Sequence, residues 1–135
     1  MSKRGVAYWP GDGKTPPRLF SGVREGRMVA LDARTGVVVT DVGERGYVDL
    51  KQGVRGDVDG PFMLDSPPVV YRDIVITGGS NGEGSPSTGL YGDIRGWDAR
   101  SGKMLWSFHT VPRAGEAGVE TWEGESWKNR SGTNA

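Results

Sequence analysis

Met28-Val29-Ala30-Leu31-Asp32-Ala33-Arg34-Thr35-Gly36 and Ile94-Arg95-Gly96-Trp97-Asp98-Ala99-Arg100-Ser101-Gly102 are two copies of one hairpin sentence, and the second runs on through Lys103-Met104-Leu105 to Trp106. In each copy the Asp accepts hydrogen bonds from nearby backbone amides, two tolerant residues round the corner, and Gly takes the positive φ of a bulged three-residue loop. Each reads as strand, tight turn, strand. Repetition on this scale implies stacked blades rather than a self-contained core.

The two copies lie 66 residues apart, Asp32 to Asp98, against roughly 40–45 for a compact four-stranded blade repeat. Long loops fill the difference, and loops on a rigid scaffold are where function is sought.

Working outward, residues 4–9 read as a short strand closed by Pro10-Gly11-Asp12-Gly13, and residues 18–23 as a second. Residues 24–27 form a turn, 28–31 enter the first repeated hairpin, and 37–40 return from it. Residues 47–50 make a brief strand and 51–61 a loop. Residues 69–71 and 74–77, joined by Arg72-Asp73, are expected to form a buried hairpin, because 74–77 is the most apolar β-branched run in the chain. A Gly/Ser-rich loop over 78–92 precedes strands at 93–97 and 103–110. In the latter, Met104, Trp106 and Phe108 alternate, so period 2 puts them on one face. Beyond Pro112 the chain is polar and turn-rich, with no helix or closing strand expected.

The fold expected is therefore all-β: about two antiparallel blades of a β-propeller over residues 1–135, with no second domain. Such a piece exposes strand edges that ring closure would cover. Gly 23 and Pro 8 among 135 residues approach the composition of low-complexity chains. Five Trp and the β-rich runs argue for a packed structure instead.

Seventeen basic and 17 acidic residues leave a formal charge of zero, and no basic stripe points to nucleic acid. Cysteine is absent, which removes thiolate metal sites, disulfides and thiol catalysis. The single histidine, His109, assembles no His-based metal cluster or acid–base relay by itself and is read as packing at a strand end. Gly78-Gly79-Ser80-Asn81-Gly82 lacks the Gly-Lys-(Ser/Thr) and the following helix of a phosphate loop. No run is long and apolar enough to span a membrane as a helix, and no basic-plus-apolar leader is present.

With the repeats placed, nearly the whole chain resembles an N-terminal stretch of the pyrroloquinoline quinone (PQQ)-dependent alcohol and glucose dehydrogenases. Gly96 through Trp106 is similar to that family's tryptophan-docking motif throughout, whereas the first copy has Thr40 where the Trp would fall. Arg4-Gly5-Val6-Ala7-Tyr8-Trp9 resembles the segment whose Arg points at the quinone oxygens, a role suited to a guanidinium facing developing negative charge. Gly79-Ser80-Asn81-Gly82-Glu83 is similar to a loop in which Ser and backbone amides hold cofactor carboxylates and Glu ligates Ca²⁺. In the family this Glu runs almost directly into the next strand, whereas residues 84–91 intervene here. Trp122-Glu123-Gly124-Glu125-Ser126-Trp127-Lys128 and Ser131-Gly132-Thr133-Asn134 resemble the segments that lead to a cofactor-contacting Thr.

The resemblance thus implies PQQ contacts at Arg4, Ser80, Asn81, Gly82 and Thr133, a Ca²⁺ ligand at Glu83, and an eight-bladed ring when complete. It implies an alcohol or sugar substrate, a periplasmic location and, for the full enzyme, an electron acceptor in the membrane. Further blades or another chain would complete the site. The resemblance puts the catalytic Asp, the remaining Ca²⁺ ligands and the Trp beneath the cofactor after Ala135, so no catalytic residue is expected here. Asp32 and Asp98 are read as turn residues, Trp97 and Trp106 as blade packing, and Trp122 and Trp127 as candidates for lining a pocket. Two other readings stay open on the residues alone: a non-enzymatic scaffold for protein binding or assembly, and a small β protein assembled through its open edges.

Overall fold

The β-branched and aromatic runs pair into eight strands: β1 (Ala7–Trp9), β2 (Arg18–Val23), β3 (Arg27–Asp32), β4 (Tyr47–Asp49), β5 (Val69–Tyr71), β6 (Ile74–Thr77), β7 (Ile94–Asp98) and β8 (Met104–Phe108). They form two four-stranded antiparallel sheets in sequential order, β1 to β4 and β5 to β8. Each sheet is one blade. This computed structural model describes residues 5–54, 61–80, 89–128 and 130–132.

The repeated turns fold alike, almost atom for atom. Asp32 Oδ1 accepts from the amides of Arg34 and Thr35, each at 2.9 Å, and from the Thr35 hydroxyl at 3.0 Å. Asp98 Oδ1 accepts from Arg100 at 2.9 Å, Ser101 at 2.7 Å and the Ser101 hydroxyl at 3.0 Å. Gly36 and Gly102 close the loops at φ 72° and 73°, a conformation that glycine adopts without steric cost.

The second turn also holds the blades together at what we term the lower end, where β1 finishes and β2 begins. The Arg18 guanidinium, 3% exposed, donates to the carbonyls of Ala99 and Arg100 at 2.9 and 2.5 Å. Arg100 reaches Asp12 at 2.6 Å and Asp73 at 2.8 Å, while Trp9 Nε1 donates to the other Asp73 oxygen at 3.1 Å. Trp9 is fully buried, with the guanidinium carbons of Arg18 and Arg100 at 5.8 and 5.6 Å from its ring centre. At the upper end, Arg95 of β7 donates to the carbonyls of Leu50 at 2.5 Å and Gln52 at 2.8 Å. Between these pins lies one apolar core, in which Phe20, Met28, Val48, Leu50, Phe62, Leu64, Val75 and Trp97 are buried. Burial of side chains of this size is the main favourable term, about 1.5–3 kcal/mol each.

Several elements differ from the sequence expectation. The first strand is Ala7–Trp9 rather than residues 4–9. Residues 37–40 form no strand, only a bridge between Leu31 and Val38. The carbonyl of Ala30 accepts from Val39, but its amide turns to Gly46, so residues 40–45 are looped out and the outer strand becomes Tyr47–Asp49. The hairpin expected to be buried is half-buried: Val75 and Thr77 lie inside, but β5 is an edge strand with Val69 62% and Tyr71 58% exposed.

In β8 the alternation is interrupted. Gly96 pairs with Trp106 and Trp97 with Met104, so Leu105 is the extra residue of a β-bulge. All five β8 residues are exposed on this outer edge. The Trp106 ring nevertheless lies across Gly96, occupying the space a Cβ would need. Trp97 is fully buried and donates to Thr77 Oγ1 at 2.9 Å. A 3-10 turn, Val119–Thr121, interrupts the irregular segment after Pro112.

Candidate functional site

The register of the two sheets fixes which loops share an end. β1 enters, β2 leaves and β3 enters at the upper end, as do β6 leaving, β7 entering and β8 leaving. The segments singled out for cofactor chemistry therefore flank the same end: Gly5 before β1, Ser80 after β6, and Ser131–Gly132 after β8. The repeated Asp turns stand at the opposite end and are structural.

Of the sequence-predicted site residues, Ser80 is described, while Arg4, Asn81, Gly82, Glu83 and Thr133 lie outside the described residues. Ser80 is held by its backbone. Its amide donates to the Met63 carbonyl at 2.7 Å and its carbonyl accepts from the Met63 amide at 2.8 Å. This bridge fixes the point where the Gly/Ser-rich loop leaves β6, and Gly79 beside it lies where a Cβ would overlap the Phe62 ring. Gly5 packs near Pro67, just ahead of β5, which joins the start of blade one to the start of blade two.

The segment after β8 is stitched to the same end. The Gly92 amide donates to the Ser131 carbonyl at 2.5 Å, and the Thr110 hydroxyl donates to the Gly92 carbonyl at 3.2 Å. Gly132 sits close against the Thr110 hydroxyl, where a Cβ would overlap it. Trp122 lines an open cleft of about 480 Å³ with Phe108, His109, Thr110 and Glu116, in keeping with the pocket-lining expectation. Trp127 is half-buried, with the Lys128 ammonium 5.7 Å from its ring centre.

Two polar features at this end escaped the sequence reading. Arg95 is 1% exposed, and its Nε and Nη2 have no hydrogen-bond partner among the described residues. Burial pushes its pKa down, opposed by Asp93 and Asp49. His109, expected to pack at a strand end, instead meets Glu116 and Asp93, and Arg113 joins the group. The signal was only a His and a Glu seven positions apart across Pro112 and Gly115, a spacing without a fixed meaning until the turn is known.

The donor chemistry bears on a metal. Among the described residues no group of three or more His, Asp or Glu is arranged to hold one, and Ca²⁺ takes 6–8 oxygen ligands. The described residues shape and fix the loops at the upper end.

The comparisons with known proteins agree with this architecture. The whole chain, residues 1–135, matches the PQQ family described as glucose/ethanol/alcohol dehydrogenase, beta-propeller domain, and belongs to it. Methanol dehydrogenase (cytochrome c) subunit 1 of Methylorubrum extorquens is 33% identical over 152 aligned residues, covering 99% of this chain and 22% of that protein. Quinoprotein glucose dehydrogenase A of Acinetobacter calcoaceticus is 36% identical over 95 residues, 70% of this chain and 12% of that protein. The crystal structure of the quinohemoprotein alcohol dehydrogenase from Comamonas testosteroni superposes with a TM-score of 0.60 at 29% identity, covering 82% of this chain and 14% of that one. The chain thus spans about a fifth or less of the length of these relatives.

Proposed function

We propose that this chain supplies one wall of a PQQ site in a dehydrogenase that oxidises an alcohol or the anomeric hydroxyl of an aldose. The observation that carries the reading is the convergence at one end of two sheets of the stretch entering β1, the loop leaving β6 and the Ser131–Gly132 segment. A binding site assembled from loops needs this placement, and the likeness of all three segments to cofactor-contacting motifs favours that reading over a scaffold of the same repeats.

When bound, PQQ would accept two electrons as hydride from the substrate carbon, with Ca²⁺ polarising a quinone carbonyl. On this reading Arg4 donates to the quinone oxygens, Ser80 with the Asn81 and Gly82 amides holds cofactor carboxylates, Glu83 ligates Ca²⁺ and the Thr133 hydroxyl contacts the cofactor. The base that takes the hydroxyl proton belongs to further blades, as do the residues that select the substrate. A periplasmic location and transfer of electrons to a membrane acceptor belong to the same proposal for the full enzyme.

Calorimetric titration with PQQ and Ca²⁺ tests the reading, using this chain beside a version extended by further blades. Binding by the extended protein is expected, with dye reduction only in that form. Binding by neither would overturn the proposal. Turnover by the short chain would overturn the assignment of the base to further blades.

A further inference from the structure

Asp93, His109, Arg113 and Glu116 form a closed polar group where β7 begins and β8 ends. Arg113 Nη2 donates to Asp93 Oδ2 at 2.8 Å, and the Arg113 amide donates to Glu116 Oε2 at 2.9 Å. His109 Nδ1 lies 2.7 Å from Glu116 Oε1, and its Nε2 lies 3.8 Å from Asp93 Oδ2. Hydrogen bonds from the Arg113 amide and from His109 hold the Glu116 carboxyl below its ordinary pKa. An ionised carboxylate only accepts, so Nδ1 carries the proton and donates it to Glu116.

The group ties two pieces of chain together. Asp93, 3% exposed, adjoins Gly92, the residue bonded to Ser131 and Thr110. Burial pushes the Asp93 pKa up, while Arg113, His109 and Arg95 favour its charge. The Arg113 guanidinium also stacks 4.5 Å from the Tyr91 ring centre. Residues 91–93 are thereby held by contacts from Thr110, Arg113 and Ser131, with His109 3.8 Å from Asp93.

We propose that His109 is a positioning residue: its Nδ1 bond to Glu116 closes residues 109–116 into a turn that the Arg113–Asp93 pair latches against the start of β7, and so sets where the cofactor-facing end of this segment stands. The latch follows from the contacts alone, whereas its effect on a cofactor rests on the PQQ reading.

The geometry selects the variants. Asn carries an amide N–H where His109 has Nδ1, so His109→Asn keeps the bond to Glu116, whereas His109→Ala and Glu116→Ala remove it. In the full chain, with and without further blades, the variants are compared by trypsin cleavage after Lys128, by the thermal midpoint and by PQQ affinity with Ca²⁺ present. For His109→Ala and Glu116→Ala, cleavage about tenfold faster is expected, with PQQ affinity lowered about tenfold in the extended protein. His109→Asn should stay within about twofold of the parent in both. Should His109→Ala fail to fold, Glu116→Gln reads the same bond, with an intermediate effect expected.

Unchanged cleavage in the alanine variants overturns the latch. Equal damage in His109→Asn and His109→Ala overturns the assignment to the Nδ1 donor. Faster cleavage in a protein whose parent binds no PQQ supports the latch and overturns the cofactor reading instead.

Discussion

Arg18 of β2 donates from Nη1 to the carbonyl of Ala99 at 2.9 Å, across the boundary between the two blades. The same nitrogen serves the Arg100 carbonyl, and Nη2 meets Asp41, which is 71% exposed. The carbonyls belong to the second Asp turn, so the guanidinium joins β2 of one blade to the repeat motif of the next. Arg18→Ala leaves buried carbonyls without a donor and is expected to cost about 3 kcal/mol. Asp41→Ala removes only a solvent-screened partner and is expected to cost under about 1 kcal/mol. Urea unfolding of the two variants checks the contrast, and equal losses would rule out the carbonyl contacts as the main contribution.

The two turn glycines separate backbone conformation from docking. Both have the same positive φ, but Gly36 meets no described neighbour within 4 Å, whereas a Cβ on Gly102 would lie 2.7 Å from Val48 Cγ2 and 2.9 Å from Val42 Cγ1. Gly36→Ala should therefore cost about 1 kcal/mol, the left-handed penalty alone. Gly102→Ala adds overpacking against blade one and should cost about 3 kcal/mol in all. Thermal midpoints measure both, and similar shifts would show that the second turn is no more tightly docked than the first.

Acid should loosen the second turn through Asp98. Burial alone would raise its pKa, but the amides of Ser101 and Arg100, the Ser101 hydroxyl and the Arg100 charge outweigh burial and lower it. A carboxyl depressed in the folded state contributes stability above its unfolded pKa of about 3.9 and loses that contribution as pH falls through the folded value. Asp98→Asn still accepts from the amides but no longer titrates. Its stability should fall less steeply than the parent's between pH 5 and about pH 2, as read from urea midpoints at each pH. Parallel slopes would exclude Asp98 as a source of the acid sensitivity.

The repeats were legible because they are local. Asp-Ala-Arg-(Thr/Ser)-Gly carries its own turn chemistry, and the strands Arg18–Val23, Val69–Tyr71 and Ile74–Thr77 fall where their β-rich runs predict. Residues 37–40 look as β-prone as residues 47–50, and only the partner of the Ala30 amide decides between them; that partner is Gly46, beyond a looped-out turn. The exposure of β5 and β8 likewise follows from their place at sheet edges, which no local pattern encodes. At the candidate site the family resemblance marked Ser80, but the Asp93–His109–Arg113–Glu116 group depends on the path of the chain after β8. Four ordinary polar residues acquire meaning there only by meeting.

Ser80 permits a clean test of cofactor contact, because its backbone is fixed on both sides. The amide and carbonyl are both paired with Met63, so Ser80→Ala removes the hydroxyl without releasing the strand end. Its thermal midpoint should stay within about 1 °C of the parent, since surface changes of this kind fall within about 0.5 kcal/mol. A hydrogen bond from a hydroxyl to a cofactor carboxylate contributes about 1.5 kcal/mol, which corresponds to PQQ affinity weakened about tenfold. Calorimetry on the protein extended by further blades reads the affinity directly. Unaltered affinity at an unaltered midpoint would remove Ser80 from the cofactor contacts and leave it as the anchor of the loop that follows β6.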